Sequence, residues 1–292
     1  MKLFELLDAP ELDAPVLVMV LEGWIDAGLG AAGAVSAVME HLEMTTVATF
    51  DADLLLDHRA RRPVLHLVDG VNTGLTWPTI ELRAAADRRG TDFLLLVGAE
   101  PDHHWHAFSR ATVDLAMELG VRMVVGLGAY PAALPHTRPS RLSATATTTE
   151  LAEQVGFVRG TIDVPGGVQA AIERRCAEVG LPAVGLWSQV PHYVSAMPYP
   201  PASAALVEGL RSVTGLDLET GELAEEAAAT RSRLDALVAG NDDHQAMVRQ
   251  LEAQYDAEEG AADSLLGGGG SLPSGDELAA EVERFLRDQG RD

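Results

Sequence analysis

Val16-Leu17-Val18-Met19-Val20-Leu21, followed directly by Glu22-Gly23-Trp24-Ile25-Asp26-Ala27-Gly28, is the stretch that decides the fold. The apolar run lacks the in–out alternation of a half-exposed strand. It reads as a strand buried on both faces, as in sheets covered by helices on each side. Working outward, Phe93 to Val97, Met123 to Leu127 and Ala183 to Val190 repeat the pattern, and Thr45 to Phe50 and Val64 to Val68 read as further strands. Helices are expected from the Ala/Gly-rich stretch ending near Leu42, from Ile80 to Arg89 with Gly90 as its stop, from Ser109 to Leu119 and from Gly167 to Val179. Thr145 to Leu151 reads as strand or turn. Strands alternating with helices imply an α/β fold, a mostly parallel central sheet flanked by helices.

Composition changes near Pro198. Ala202 to Thr214 reads as a short helix. Glu222 to Val238 and Asp243 to Glu259 read as a helical hairpin broken at Gly240-Asn241. Gly267 to Gly270 suit a linker, and Asp276 to Arg287 suit a final amphipathic helix. The expected organisation is an α/β core over 1–200, a small C-terminal helical extension over 201–260, a Gly-rich linker over 261–275 and a helix or tail over 276–292.

The 292 residues carry 44 acids against 21 Lys and Arg, a formal charge of -23. Such a field repels phosphate backbones and anionic lipid, so neither nucleic acid nor a membrane is an expected partner. Cys176 is the single cysteine. It cannot form an intrachain disulfide and reads as a buried helix residue. The start, Met-Lys-Leu-Phe-Glu-Leu-Leu-Asp, carries acids where a signal peptide needs an apolar run, so the expected location is the cytoplasm.

In open parallel sheets, ligands bind beyond the carboxyl ends of the strands. The turns after the apolar runs hold Trp24 and Asp26, then Glu100 and Trp105, then His136 and Arg138, then His192 and Tyr193. These residues are the candidates for a pocket or an interface. Asp26, Glu100, His136, Arg138 and His192 could converge as acid, base and anion holder of a small-molecule-binding enzyme with a phosphorylase- or hydrolase-like pocket at this edge; the alternative is that their loops stitch the sheet edge or join subunits. Gly28, Gly30 and Gly33 form Gly-x-Gly-x-x-Gly, with Asp51 and Asp53 about twenty residues on. Trp24 and Asp26 intervene, and close helix–sheet packing explains the glycines as well. His103, His104 and His106 with Asp102 suggest a metal, but His-His-x-His on one loop rarely has ligand geometry alone; a solvated loop or helix start is the expectation, and no metal. No cofactor is expected either, there being no Walker loop, and without a Gly-x-Ser-x-Gly elbow neither Ser109 nor Ser143 carries the signature of a nucleophile.

Five stretches in order carry a resemblance: Gly23 to Gly28, Gly98 to Pro101 with Trp105, Leu127 to Pro131, Pro135 to Pro139, and Leu186 to Val194. Together they resemble the proteasome-assembly-chaperone 2 family in its actinobacterial form, and Leu251 to Asp256 resembles that branch's helical extension. The resemblance implies a core related in architecture to nucleoside phosphorylases, plus a small helical domain. It also implies a homo-oligomer, with trimers favoured, and a non-catalytic chaperone-like role with a proteasome-related protein partner. Some members end in a hydrophobic–Tyr–any tail that docks on proteasome α-subunits; this chain ends Gln289-Gly290-Arg291-Asp292 instead.

Overall fold

The quoted run is strand β2 (Val16–Glu22), and it lies inside the sheet with a parallel partner on each edge. The computed structural model describes residues 3–7, 10–158 and 160–267, with side chains described as far as residue 259. The expected linker and final helix, from residue 268 on, lie outside the described residues. Before β2 comes β1 (Phe4–Leu6). After it come α1 (Gly30–Met39), β3 (Thr45–Phe50), α2 (Ala52–Leu55), β4 (Val64–Val68), β5 (Val71–Thr76), β6 (Ile80–Ala86) and β7 (Asp92–Ala99). Then follow α3 (Trp105–Glu118), β8 (Met123–Ala132), β9 (Leu142–Ala146), α4 (Thr149–Val155), α5 (Val168–Val179), β10 (Ala183–Pro191), α6 (Pro200–Thr214), α7 (Leu223–Ala239) and α8 (Asp242–Gly267).

The main sheet has eight strands in the order β1-β3-β6-β7-β2-β8-β10-β9. Strands β7, β2, β8 and β10 are parallel. Antiparallel β6, β3 and β1 extend one side and β9 the other. The two-sided burial read from β2 is literal. Leu17 and Met19 pack with Phe108 of α3 and Ile172 and Cys176 of α5. Val16, Val18 and Val20 pack with Ala34 of α1 and Leu206 and Leu210 of α6. Three layers result, helix on sheet on helix. Burial pushes the Cys176 thiol up to about 12, so it stays protonated and inert.

One expected helix is a strand. Residues 80–89 are rich in Ala and Arg, which favours helix locally. In the structure Ile80 to Ala86 form β6, hydrogen-bonded between β3 and β7. Ile80 and Leu82 alternate into the core, and the sheet's need for a partner on the exposed edge of β7 overrides local propensity. Gly90, expected as a helix stop, instead sits at φ +80 in the turn joining β6 to β7. Asp87 holds that turn by accepting the Arg89 and Thr91 N–H groups, each at 2.8 Å.

Strands β4 and β5 pair only with each other and form a separate two-stranded ribbon. Helices α7 and α8 turn at Gly240-Asn241, where the Asn241 side chain accepts the Asp243 and His244 N–H groups. No helix among the described residues is long and apolar enough to cross a membrane.

Gly98 fixes how β7 meets the start of β6. Its φ is +123, and a Cβ there would collide with the Thr79 carbonyl oxygen. Gly98→Ala is expected to lower the unfolding free energy by roughly 2–3 kcal/mol in urea titration. A loss under about 0.5 kcal/mol would show that the Thr79 backbone yields instead.

Candidate functional site

Because β7, β2, β8 and β10 run the same way, the turns after them emerge at one rim. The chain leaves β2 for α1 on one face of the sheet and leaves β7 for α3 on the other, so a crevice opens between their ends. It is closed by the chain itself. The Glu100 N–H donates to the Glu22 carbonyl at 2.6 Å. Buried Glu100 accepts the Val168 N–H at 2.6 Å, capping the first turn of α5 with a carboxylate. Trp24 covers this contact: a Cβ on Gly167 would lie 2.9 Å from Glu100 Oε1 and 3.0 Å from Trp24 Cδ1. Trp105 opens α3, and its Nε1–H donates to the Pro101 carbonyl at 2.5 Å. Arg61, before the ribbon, donates to Asp102 Oδ2 at 3.1 Å and to the Glu22 carbonyl at 3.3 Å.

Asp26 lies one step along the rim, bridged to Ala129 of β8. Its carboxylate accepts the Ala31 N–H at 2.8 Å and the Ala32 N–H at 3.0 Å, filling the N-terminus of α1. Burial raises its pKa above the ordinary carboxylate value, although these N–H groups pull the other way. A cleft of about 390 Å³ lies beside it, lined by Trp24, Ile25, Leu29 and Leu127 among others. The glycines that suggested a dinucleotide serve packing. A Cβ on Gly28 would lie 2.7 Å from Tyr199 Cβ, one on Gly30 2.8 Å from Ala129 Cβ, and one on Gly33 2.5 Å from Ser203 Oγ. Asp26 thus occupies the position a pyrophosphate would take, and side chains fill the space the glycines leave.

The remaining candidates belong to a second group. The loop after β8 carries His136, only 1% exposed. Its backbone N–H donates to the Tyr193 hydroxyl at 2.7 Å, and its Nδ1 lies 2.7 Å from the same oxygen. Nε2 lies 3.2 Å from Asp235 Oδ1 on α7. The network closes when the Tyr193 hydroxyl donates to Nδ1 and Nε2–H donates to Asp235. Arg138 forms two 2.7 Å bonds to Asp256 and one at 3.2 Å to Glu252, both on α8. Thr137 donates to Glu252 at 2.6 Å. The Arg141 guanidinium stacks 3.5 Å above the Tyr255 ring, while the Tyr255 hydroxyl donates to the Pro139 carbonyl at 3.2 Å. His192 is exposed, its ring edge-on to Tyr193 at 5.4 Å.

The structure therefore gathers Trp24, Asp26, Glu100 and Trp105 around the ends of β2 and β7. It gathers His136, Arg138, His192 and Tyr193 around the helical arm α7–α8. No hydrogen bond among the described residues joins the two groups. Sequence reasoning missed the arm's half of the second group: Asp235, Glu252, Tyr255 and Asp256. A signal existed, since Glu252 and Asp256 stand one helical turn apart and match Arg138. Among the described residues, no three His, Cys, Asp or Glu side chains are placed to hold a metal.

The protein is a three-layer α/β scaffold whose rim loops clamp a helical arm. The chain belongs to the PAC2 family, whose sequence profile matches residues 20–238. It is 38% identical to Mycobacterium tuberculosis Rv2714, a protein of unknown function, with a TM-score of 0.83 over 90% of this chain and 91% of that one. It is 31% identical to the M. tuberculosis proteasome-assembly chaperone homologue Rv2125, at TM-score 0.74 over 80% and 99%. A PAC2 family protein of Streptomyces avermitilis is 33% identical, at TM-score 0.71 over 80% and 99%. Among proteins with curated descriptions, none matches the sequence.

The clamp has a pH signature. Burial holds His136 below its ordinary 6.5, and the opposing pull of Asp235 does not overcome it. The unfolded chain then takes up the proton first, so this contribution is complete above 6.5 and is lost as pH falls through the lower, folded value. Urea titrations should show stability declining with a slope of at most about 1.4 kcal/mol per pH unit from this group, and His136→Gln should remove that component. Tyr255 is 3% exposed. Tyr255→Ala should lower stability by about 3 kcal/mol and hasten proteolysis near Gly240, whereas an unchanged digestion pattern would mean the arm docks without it.

Proposed function

We propose that this protein is a non-catalytic, chaperone-like assembly factor that works on a protein partner as a homo-oligomer, a trimer, in the cytoplasm. The observation that carries the reading is the clamp. His136 engages both ring nitrogens within the molecule, and Arg138 binds two carboxylates of its own arm. Groups so engaged hold a surface in shape and are poorly placed to move substrate protons. The likeness to an M. tuberculosis proteasome-assembly chaperone homologue, over nearly all of that chain, supports a proteasome-related partner. In this reading α7–α8 is a helical extension carried on the α/β core, and the two rim groups are parts of a protein-binding face.

One observation favours a second reading. The cleft beside Asp26 is large enough for a small metabolite and holds a carboxyl whose pKa is raised. A ligand present at about 100 times its dissociation constant would add about 2.7 kcal/mol of stability, which thermal-shift screening detects.

The deciding experiment mixes the purified protein with purified actinobacterial proteasome α- and β-subunits and follows assembly on native gels. The expected outcome is a complex with α-subunits and faster appearance of assembled rings. No complex and no change in assembly rate, with the protein folded throughout, would refute the proteasome-related role.

A further inference from the structure

None of the rim candidates lines the groove between α1, α6 and the start of α7. This groove encloses about 630 Å³, more than the cleft beside Asp26. Its floor is small, from Ala32, Gly33 and Ala37 of α1, and one end is apolar, from Leu29, Pro198 and Pro200. The walls are pinned by the chain itself. The Gly28 N–H donates to the Ser195 carbonyl at 2.7 Å, and the Tyr199 N–H donates to the Gly28 carbonyl at 2.8 Å. At the other end Leu223 is buried, and the His41 ring lies against Gly221, whose φ is +50. A preformed concavity of this volume is in the range of small-molecule sites.

Ser203 points to an occupant. It is only 2% exposed and lines the groove, yet its hydroxyl makes no hydrogen bond among the described residues. A buried helix hydroxyl ordinarily bonds the carbonyl one turn back, as Ser109 and Thr214 do here. The far end of the groove is acidic. Glu40, Glu222 and Glu226 line it, are exposed, and form no ion pair among the described residues; no Lys or Arg of those residues lines it. The dipole of α7 favours Glu222 and Glu226 at its N-terminus. Glu40 has the opposite setting, since it caps the C-terminus of α1, where a carboxylate is disfavoured without a cation nearby.

We infer that this groove binds an aliphatic polyamine. Its hydrocarbon chain would lie on the floor of small residues, and its ammonium groups would donate to the carboxylates of Glu40, Glu222 and Glu226 and to the Ser203 hydroxyl oxygen. A single divalent ion fits less well, because no three acidic or His side chains among the described residues are placed to share one. Separated carboxylates call for separated cations, and a polyamine carries these along an apolar chain. The formal charge of -23 raises the local concentration of any such polycation. The inference stands independently of the assembly-factor reading.

The test is isothermal titration calorimetry of the full chain with putrescine, spermidine and spermine. It is run at about 0.15 M salt, where attraction to the acidic surface is screened beyond about 8 Å. At least one of the three is expected to saturate a single site per chain. Glu222→Gln/Glu226→Gln, at exposed positions, should weaken that binding by about tenfold or more, and Ser203→Ala by about threefold. Glu11→Gln/Glu118→Gln removes the same charge from exposed positions off the groove and should change the affinity by less than about twofold. Circular dichroism checks that each variant is folded. Should Ser203→Ala unfold, Glu40→Gln takes its place with a similar expected loss. No saturable binding of any of the three amines, several weak sites per chain, or equal weakening by the two pairs of Gln substitutions overturns the inference.

Discussion

A strand with helices on both faces has no water for its backbone, so both of its edges must be paired. For β2 those partners are β7 and β8, both parallel to it. Parallel pairing forces each connection to cross back over a face of the sheet, which supplies the two helical layers. It also delivers the turns after β2, β7, β8 and β10 to one rim. Chemistry on that rim follows from burial in the centre: without Val16 to Val20 in the core, Trp24, Glu100, His136 and Tyr193 would have no common edge to occupy.

The rim faces a second problem, set by charge. Helices α7 and α8 carry much of the chain's acidity and lack a core of their own. Exposed ion pairs are worth little, so Arg138 with Asp256 would not hold the arm alone. The buried aromatic Tyr255, stacked under Arg141 and bonded to Pro139, supplies the apolar contact. Leu251 and Val248 are buried on the same helix. The carboxylates then fix orientation, since a two-pronged Arg–carboxylate pair tolerates little rotation.

Much of this was legible in the sequence. Continuous apolar runs mark strands buried on both faces, and here they locate β2, β7, β8 and β10, while the helices alternating with them point to a shared direction. The turn at Gly240-Asn241 is legible because Asn caps a helix and Gly ends one. The error at residues 80–86 has a definite cause: Ala-rich sequence is ambiguous, and only pairing to β7 resolves it. Strand β5 has little sequence signal, because Val71 to Thr76 is broken by Asn72 and Gly74 and buries nothing. Grouping was the harder matter. Residues after four strands can be placed on one edge from sequence, yet which of them touch depends on α7 and α8 arriving from more than ninety positions later. The Gly28, Gly30 and Gly33 motif shows the same limit, since glycine admits either a phosphate or a neighbouring methyl group.

The position of Asp26 has a consequence for how this scaffold could change. A tethered anion sits at the mouth of α1 at a high local concentration, so a dissolved anion competes against an intramolecular one and loses. The corner is a receptor carrying its own plug. Drift at this one codon toward an apolar residue such as alanine would leave the Ala31 and Ala32 amides without their side-chain acceptor beneath an apolar cleft. In that sense a lineage of scaffolds built this way is one substitution from a vacant anion seat, and selection for stability alone is enough to keep it shut.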